Sequence, residues 1–524
     1  MRLTDHDLKQ LHRKYLASLS REQLLHLSGN MLDDLRDARD RINQTPQNSS
    51  RPPGSYAPWE QSISAGEKDK AGKTNTPKTD SEEVDEDKTT ETESPTDESA
   101  DSCQIDDDAD SRPKKKRKAG KQPGAKGFGR RVELPVTDTK IHKAVQCVGC
   151  GDIFAENIPF HAKTGMYVLD IERRTLGLAV THVKHIYGER HCRCGHVTQT
   201  MPGRCEDEVE WDVALTEWHL VGATLSSLII CQALRMRQSR PRIREFLQDW
   251  LGITLSIGCI NQCIAEGGRA TAALEEQLIA EIQQSELLHA DETGWKENGR
   301  AVWLWVLRTA TVTLYIIGRR SWDVIATIME KFAGWLMSDG YGQYRKYGKR
   351  LRCLAHIIRK ARGLAESCHA GAAIFGEKVL ESLTLFIEGI YEARGDPTIN
   401  LPARFEQQLE DLKELSVQHR DHDHEKTKKL ARELLNDWDA IWKVLEYPEL
   451  PITNNVAEQA LRHWVIARKI SYGTRTKQGS RAYTLLASVI DTCRQRGILP
   501  WPYLAKVIAE RRKGSIVPPL PQLV

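Results

Sequence analysis

The chain has 524 residues, 40% apolar and 28% charged, with 75 Lys and Arg against 72 Asp and Glu for a net charge of +3. That length suggests roughly three to four domains with cores that need no staples, and a net charge this small does not by itself announce a nucleic-acid partner, although the charge is segregated into blocks. The longest apolar run, about 220–234, falls short of the ~20 residues needed to cross a bilayer, the amino terminus is charged from its start so no secretory signal is expected, and twelve cysteines are too sparse for a disulfide scaffold, which points to a cytoplasmic protein with no membrane partner.

In chain order, residues 1–45 are expected to form an amphipathic helix. Leu24, Leu27, Met31, Leu35, Ala38 and Ile42 recur at spacings of three and four, a short seam that suits either packing on its own chain or a dimerising zipper. Residues 46–131 read as a disordered charged linker. An acidic tract at 80–110 is followed by 112–131, which carries ten basic residues and no acid. Lys114, Lys115, Lys116, Arg117, Lys118, Arg130 and Arg131 in this arm are candidates for neutralising DNA phosphates. A nuclear import signal and a solvated linker with mutually attracting charge blocks are the alternatives.

Residues 132–210 are expected to form a zinc-binding, DNA-binding module. Cys147 and Cys150 form one close pair, Cys192 and Cys194 another. Zinc takes four soft ligands in a tetrahedron, and each pair supplies two from one turn. The second pair has the less usual Cys-x-Cys spacing, so His191, His196 or Cys205 can stand in for one ligand. A strand-like stretch over 167–187 lies between the pairs. Four protein ligands close the site, so its role is folding and DNA docking, not catalysis.

Residues 211–286 are helical in pattern. The basic cluster RMRQSRPRIRE (235–245), a break at Gly252 and a helix opened by Ser256 fit a helix-turn-helix or plain helix packing. From 287 the periodicity changes. Strands are expected over 287–290, 301–307, 311–317, 335–338 and 351–355, with a helix over 321–332. Asp291 lies just past the first strand and Asp339 just past the fourth. Two carboxylates at neighbouring strand ends can converge on Mg2+, a hard cation that keeps waters for phosphate oxygens, and two such ions about 4 Å apart serve phosphoryl transfer. The best third carboxylate is Glu458, at the start of an amphipathic helix. Its spacing from Asn455 is also that of a capping box, and it sits four residues before Arg462, a favourable helix pair.

Other residues carry two readings. Glu292 adjoins Asp291 but should face the opposite side of the strand, so it reads as a structural group. Cys353 and His356 are two ligands short of a zinc site and read as packing. Trp295 and Trp303 read as core or rim. Arg462, Arg468 and Lys469 can hold phosphates or form a solvated basic face.

HADETGW (289–295), SDGYGQY (338–344), TNNVAEQALR followed by ARKISYG, and Cys353-Leu-Ala-His356 resemble the bacterial insertion-sequence transposases of the insertion sequence 66 family. The leucine-bearing first helix, GKQPGAKG and the cysteine pairs agree in order. The resemblance implies an α+β multidomain protein whose RNase H-like mixed α/β catalytic domain carries a helical insertion and is preceded by a zinc-binding module and an N-terminal helix. The catalytic core would be split between 287–371 and 447–524, with the charged helical segment 372–446 inserted. Asp291, Asp339 and Glu458 would be an Asp-Asp-Glu triad holding Mg2+ or Mn2+, for cleavage of element ends and strand transfer into target DNA. A homodimer on paired ends, accessory proteins of the same element and a nucleoid-associated location follow as expectations. A DNA-binding regulator derived from such an enzyme, and a nuclease that cuts without joining, are the alternatives.

Overall fold

The computed structural model describes residues 3, 11, 13–42, 134–206 and 211–522. The charged linker and all seven basic-arm candidates (Lys114, Lys115, Lys116, Arg117, Lys118, Arg130 and Arg131) lie outside the described residues.

Two helices, α1 (Arg13–Ser18) and α2 (Arg21–Ile42), open the described chain. Ser20 and Gln23 start α2 with a reciprocal cap: Gln23 N donates to Ser20 Oγ and Ser20 N donates to Gln23 Oε1 at 2.9 Å, which satisfies two otherwise orphaned donors. The expected apolar seam does not face the rest of the chain. Leu24, Met31 and Leu35 are exposed, whereas Asp34 and Asp40 are buried.

The cysteine-bearing segment forms a small sheet of β1 (Asp138–His142), β2 (His161–Arg173), β3 (Leu178–His191) and β4 (Val197–Gln199). The β2–β3 hairpin is its centre; β1 lies parallel to β3 and β4 antiparallel to it. The expected stretch 167–187 is thus two strands, reversed at Gly177, whose φ of +82° needs glycine. The sheet is sewn to the helices that follow. Leu169 N donates to Leu220 O and Gly222 N to Leu169 O, and Asp170 Oδ1 accepts from Leu225 N at 2.7 Å, in the first turn of α3 (Ala223–Leu234).

Next come α4 (Arg240–Leu251), α5 (Ile257–Ala272) and α6 (Glu275–Gln283). Gly252 ends α4 in the left-handed conformation and Ser256 caps α5 through Cys259 N, so the turn sits where the sequence places it. Much of the helix after this turn packs into the body. Cys259, Ile260, Cys263, Ile264 and residues 266–271 of α5 are all buried, while Ile257, Gly258, Asn261 and Gln262 near its start are exposed. The exposed basic face belongs to α4, at Arg242 and Arg244.

The second sheet has the order β7-β6-β5-β8-β9. Its strands are β5 (Leu287–Glu297), β6 (Arg300–Arg308), β7 (Thr313–Gly318), β8 (Trp335–Ser338) and β9 (Arg350–Arg352). The first three are an antiparallel meander, its first turn made by Asn298 and Gly299 with positive φ at both, as a two-residue hairpin requires. β8 then runs parallel to β5, and β9 parallel to β8. The helix expected over 321–332 is only a 3-10 turn (Trp322–Val324) and the short α7 (Ala326–Met329). β9 stops earlier than expected because Cys353 begins α8 (Leu354–Ala365).

The segment after α8 is helical throughout: α9 (Ala370–Gly395), α10 (Leu401–Arg404), α11 (Glu406–His419), α12 (Glu425–Asn436) and α13 (Trp438–Glu446). With α8 it builds its own core around Phe375, Phe386, Leu412, Leu430 and Trp442. The chain then returns to the sheet as α14 (Asn455–Ser471), α15 (Lys477–Gln495) and α16 (Pro500–Arg512). α15 covers the edge strand β7. Ser488 Oγ accepts from Tyr315 N at 2.8 Å and Thr492 Oγ1 from Thr313 N at 3.1 Å, so hydroxyls one helical turn apart satisfy an edge that would otherwise invite pairing. No helix among the described residues is long and apolar enough to cross a membrane.

Candidate active site and metal centre

The sheet register sets two of the three candidate acids side by side, with Asp291 inside β5 and not past its end. His289 pairs with Met337 across the parallel β5–β8 ladder. Asp291 and Asp339 each lie two residues further on, so the pleat puts both on the same face of adjacent strands. Asp339 is past the end of β8, where Tyr341 N donates to its Oδ1 at 2.9 Å.

Glu458 arrives from α14. The helix is moored by Asn454, fully buried just before its first turn. Asn454 Nδ2 donates to Ala290 O at 2.8 Å, its Oδ1 lies 3.0 Å from His289 Nδ1, and its N–H meets Cys353 Sγ at 3.1 Å. The helix therefore starts one residue earlier than the capping-box reading supposes. Asn454 holds the N-cap place and makes no side-chain cap, and Glu458 N donates to Asn454 O. Glu458 is thus not paired with Asn455 as a cap. Its carboxylate instead accepts from Arg359 Nη2 at 3.2 Å and lies 3.6 Å from His356 Nδ1.

Electrostatics couple the third acid to this pair, although the ligand atoms of the three do not all lie within 4.8 Å of one another. Burial pushes the Asp291 carboxyl well above the usual carboxylate range, and Asp339, Glu292 and Glu458 push it the same way. Gathering carboxylates away from water is unfavourable unless a cation or protons balance them. Oxygen-only donors of this kind match a hard divalent ion. His356 is held neutral by burial and by Arg359, Lys360 and Arg352, its pKa lowered to about 3.

Glu292 points to the other side of the sheet. Tyr344 Oη donates to its Oε2 at 2.6 Å and Arg320 donates to its Oε1 at 3.1 and 3.0 Å. Arg320 is sandwiched between the Trp303 and Tyr341 rings, 4.0 and 4.1 Å from their centroids. Trp303 is therefore a rim residue engaged by a cation, and Trp295 is core, bonded through Nε1 to Thr474 Oγ1.

On α14, Arg462 and Lys469 are exposed. Arg468 is not a free phosphate contact. Its Nη1 donates to Thr293 Oγ1 at 3.1 Å and to Gly294 O, strapping the helix to β5. Cys353 and His356, expected as packing, form with Glu458 a group whose ligand atoms lie within 4.8 Å of one another.

The four cysteines of the small sheet also come together. Cys147 and Cys150 sit on a turn after β1, Cys192 and Cys194 on the β3–β4 connection. All four ligand atoms lie within 4.8 Å of one another, with Cys147 Sγ 3.7 Å from Cys194 Sγ and Cys150 Sγ 3.6 Å from Cys192 Sγ. Gly151 N donates to Cys147 O and Gly195 N to Cys192 O, and both glycines have positive φ. Such turns aim backbone N–H groups at sulfur: the Cys150 N–H leads the effects that lower the Cys147 thiol to about 6, against burial. This donor set fits a tetrahedral thiophilic ion. Of the possible substitutes, Cys205 is buried elsewhere, bonded through N to Leu215 O, and His191 pairs with Glu189. His196 packs over Gly149, where a Cβ would lie 2.8 Å from its ring.

Residues 219–482 match the family model described as Transposase IS66 family, a span of about half the chain. The chain belongs to the Transposase IS66 family. The matched span holds Asp291, Asp339, Glu458 and the whole helical segment between the second and third acids. Two Sinorhizobium fredii proteins are similar to it. Uncharacterized protein y4jO is 28% identical over 189 residues, 36% of this chain and 56% of its own length. Uncharacterized protein y4qI is 24% identical over 345 residues, 57% of this chain and 62% of its own. The chain spans less than two thirds of the length of either relative.

The sequence reading missed the groups that hold the site. Asn454 is visible in the sequence only as part of a chain break. Arg359 follows His356 by three residues, which places both on one face of α8, but only the fold shows that this face meets Glu458.

Proposed function

We propose that this IS66-family chain is a DNA transposase that binds the ends of its element, cleaves them and joins them to target DNA. The observation carrying the proposal is the placement of Asp291 and Asp339 on one face of adjacent parallel strands, with Glu458 on the helix that packs on β5 and an Asp291 carboxyl raised by burial first and then by the other acids. The sheet supports an RNase H-like reading: an antiparallel meander extended by two strands parallel to its first member, with α14 packed on it.

The three carboxylates would hold Mg2+ or Mn2+, which when bound supplies charge stabilisation to the attacking and leaving oxygens. In cleavage, water forms a new bond to phosphorus and the P–O3′ bond breaks, leaving a 3′-hydroxyl. In joining, that hydroxyl attacks a target phosphodiester and the target strand's own 3′-oxygen leaves with a proton. Arg462 and Lys469 flank the site and would position phosphates. Arg359 and Asn454 position Glu458. Cys147, Cys150, Cys192 and Cys194 would hold a structural Zn2+ that folds the small sheet for DNA docking, and the basic arm at 112–131 would add sequence-independent affinity. Action on paired ends calls for a homodimer, with accessory proteins of the same element as further partners, at the nucleoid.

The test is nicking and strand transfer on end-containing DNA in Mg2+. Asp339→Asn is expected to abolish both while leaving DNA affinity within about twofold, since one buried-site charge contributes little beside the many phosphate contacts that set affinity. Binding without nicking by the wild type would favour a regulator, nicking without joined product a nuclease, and full activity in Asp339→Asn would remove that residue from the mechanism.

A further inference from the structure

A second group of metal-ligating side chains lies away from the candidate acids, where α2 meets the helical segment. Asp37 and Asp40 come from α2, His369 from the turn before α9, and His424 from the residue before α12. Ligand atoms of Asp37, His369 and His424 all lie within 4.8 Å of one another. His369 Nε2 is 3.3 Å from Asp37 Oδ1, and His424 Nε2 is 3.9 Å from Asp40 Oδ2. The two imidazole rings are 4.6 Å apart between centroids.

Several contacts pre-set these groups. Asp40 is fixed by Ser367 Oγ, which donates to its Oδ2 at 2.6 Å, and by Cys368 N, which donates to its Oδ1 at 3.2 Å. His424 Nδ1 is 2.9 Å from Thr427 Oγ1, which leaves Nε2 facing the carboxylates. The side chains of Asp40 and His424 retain 3% and 7% of their exposure. The cluster joins two carboxylates and two imidazoles from three chain segments, with Asp40 and His424 buried and Asp37 and His369 partly exposed.

We propose that Asp37, Asp40, His369 and His424 form a divalent transition-metal site, of the zinc class, that clasps α2 to the helical segment. Imidazole nitrogens and carboxylate oxygens are donors that zinc accepts, the ligand atoms of Asp37, His369 and His424 are close enough to share one ion, and Asp40 lies 3.9 Å from His424 beside them. Mg2+ is a poor fit because imidazole donors suit softer ions. The site is distinct from the four-cysteine centre in ligand type and from the candidate acids in position. Its consequence is mechanical: α2, whose apolar residues face outward, is held in a defined place on the body.

The experiment is the zinc content of the full chain after equilibrium dialysis against buffered Zn2+, with DNA absent. Wild type is expected to hold one zinc more per chain than His369→Gln/His424→Gln. Cys147→Ser/Cys150→Ser removes the other equivalent. In that cysteine variant, Co2+ is expected to give visible d–d absorption with no thiolate charge-transfer band, and the two histidine changes are expected to abolish it. Limited proteolysis reads the clasp: cleavage near α2 should slow on adding Zn2+ to the cysteine variant and not when the histidine changes are added. Equal zinc in wild type and the histidine variant, with both folded by circular dichroism, overturns the proposal, as does a Co2+ spectrum untouched by the histidine changes. The outcome does not depend on strand transfer, so failure here and failure of the transposase reading are separable.

Discussion

At the scale of single residues, Asp291 is where burial and like charge combine. Its carboxyl is raised well above the ordinary range by burial first, and then by Asp339, Glu292 and Glu458. A carboxyl whose folded pKa lies above its unfolded value weakens the fold at every pH above the folded pKa. The penalty shrinks as pH falls toward the unfolded value, where both states carry the proton. Asp291→Asn is therefore expected to raise the melting temperature of the metal-free chain at pH 8, with the gain diminishing on acidification. Added Mg2+ should raise the melting temperature of wild type more than that of the variant. Thermal scans across pH, with and without Mg2+, check this; a variant that melts lower than wild type at pH 8 would remove the crowded-carboxylate account. Glu292 shows the contrasting solution. It sits one residue away on the other face, and Tyr344 and Arg320 satisfy it internally, so it needs no ion.

At the scale of elements, what moors α14 matters as much as what it carries. Asn454 spends both ends of its amide and its backbone N–H on β5 and α8. Asn454→Ala leaves Ala290 O and His289 without partners in a buried place, a cost of about 1–3 kcal/mol. It also frees the turn that sets Glu458. The expected result is a lower melting temperature together with a fall in strand cleavage larger than the loss of folded protein explains, read by comparing activity per folded molecule. Sequence periodicity located this helix, β6 and β8, because each is announced by a local signal, an amphipathic stripe or an apolar run, whereas the apolar run of β5 ends at Ala290 and the strand itself continues to Glu297. Other features were not legible because tertiary contacts decide them. The stretch 351–355 has strand composition throughout, yet only Leu351 and Arg352 of it find a partner in β8 before Cys353 starts a helix. The helix opened by Ser256 has its turn in the sequence, but not the packing by which Gly267 and Gly268 let Ile230 and Ala482 approach so closely that its second half becomes core. Leu24, Met31 and Leu35 have seam spacing, but the buried acids of α2 decide which face meets the body.

At the scale of the molecule, the helical segment is a brace between the second and third acids. It leaves the sheet at β9, shortly after Asp339, and returns just before Asn454. Its hold on the sheet is ionic and nearly dry. Asp437 Oδ1 accepts from Arg345 Nε at 2.8 Å and Arg350 Nη2 at 2.5 Å, and Arg352 Nε lies 3.1 Å from Oδ2. Arg352, with no exposed side-chain surface, also bonds Glu433, which accepts from Lys360 Nζ at 2.6 Å. Burial pushes the Asp437 carboxyl up, but Arg345 and Arg350 outweigh it and hold the group below the usual range. Asp437→Asn keeps the shape and removes the charge, leaving three guanidinium groups with a single carboxylate nearby, Glu433. Breaking a buried pair from one side typically costs about 3–5 kcal/mol. If the segment braces the acids, that loss should appear at a distance: faster amide exchange in α8, α12 and the first turn of α14, with the β5–β6–β7 meander unchanged. Strand cleavage should fall although Asp437 touches none of the three acids. Faster exchange confined to α12 and α13, with cleavage intact, would show that the segment is carried by the sheet and does not hold it.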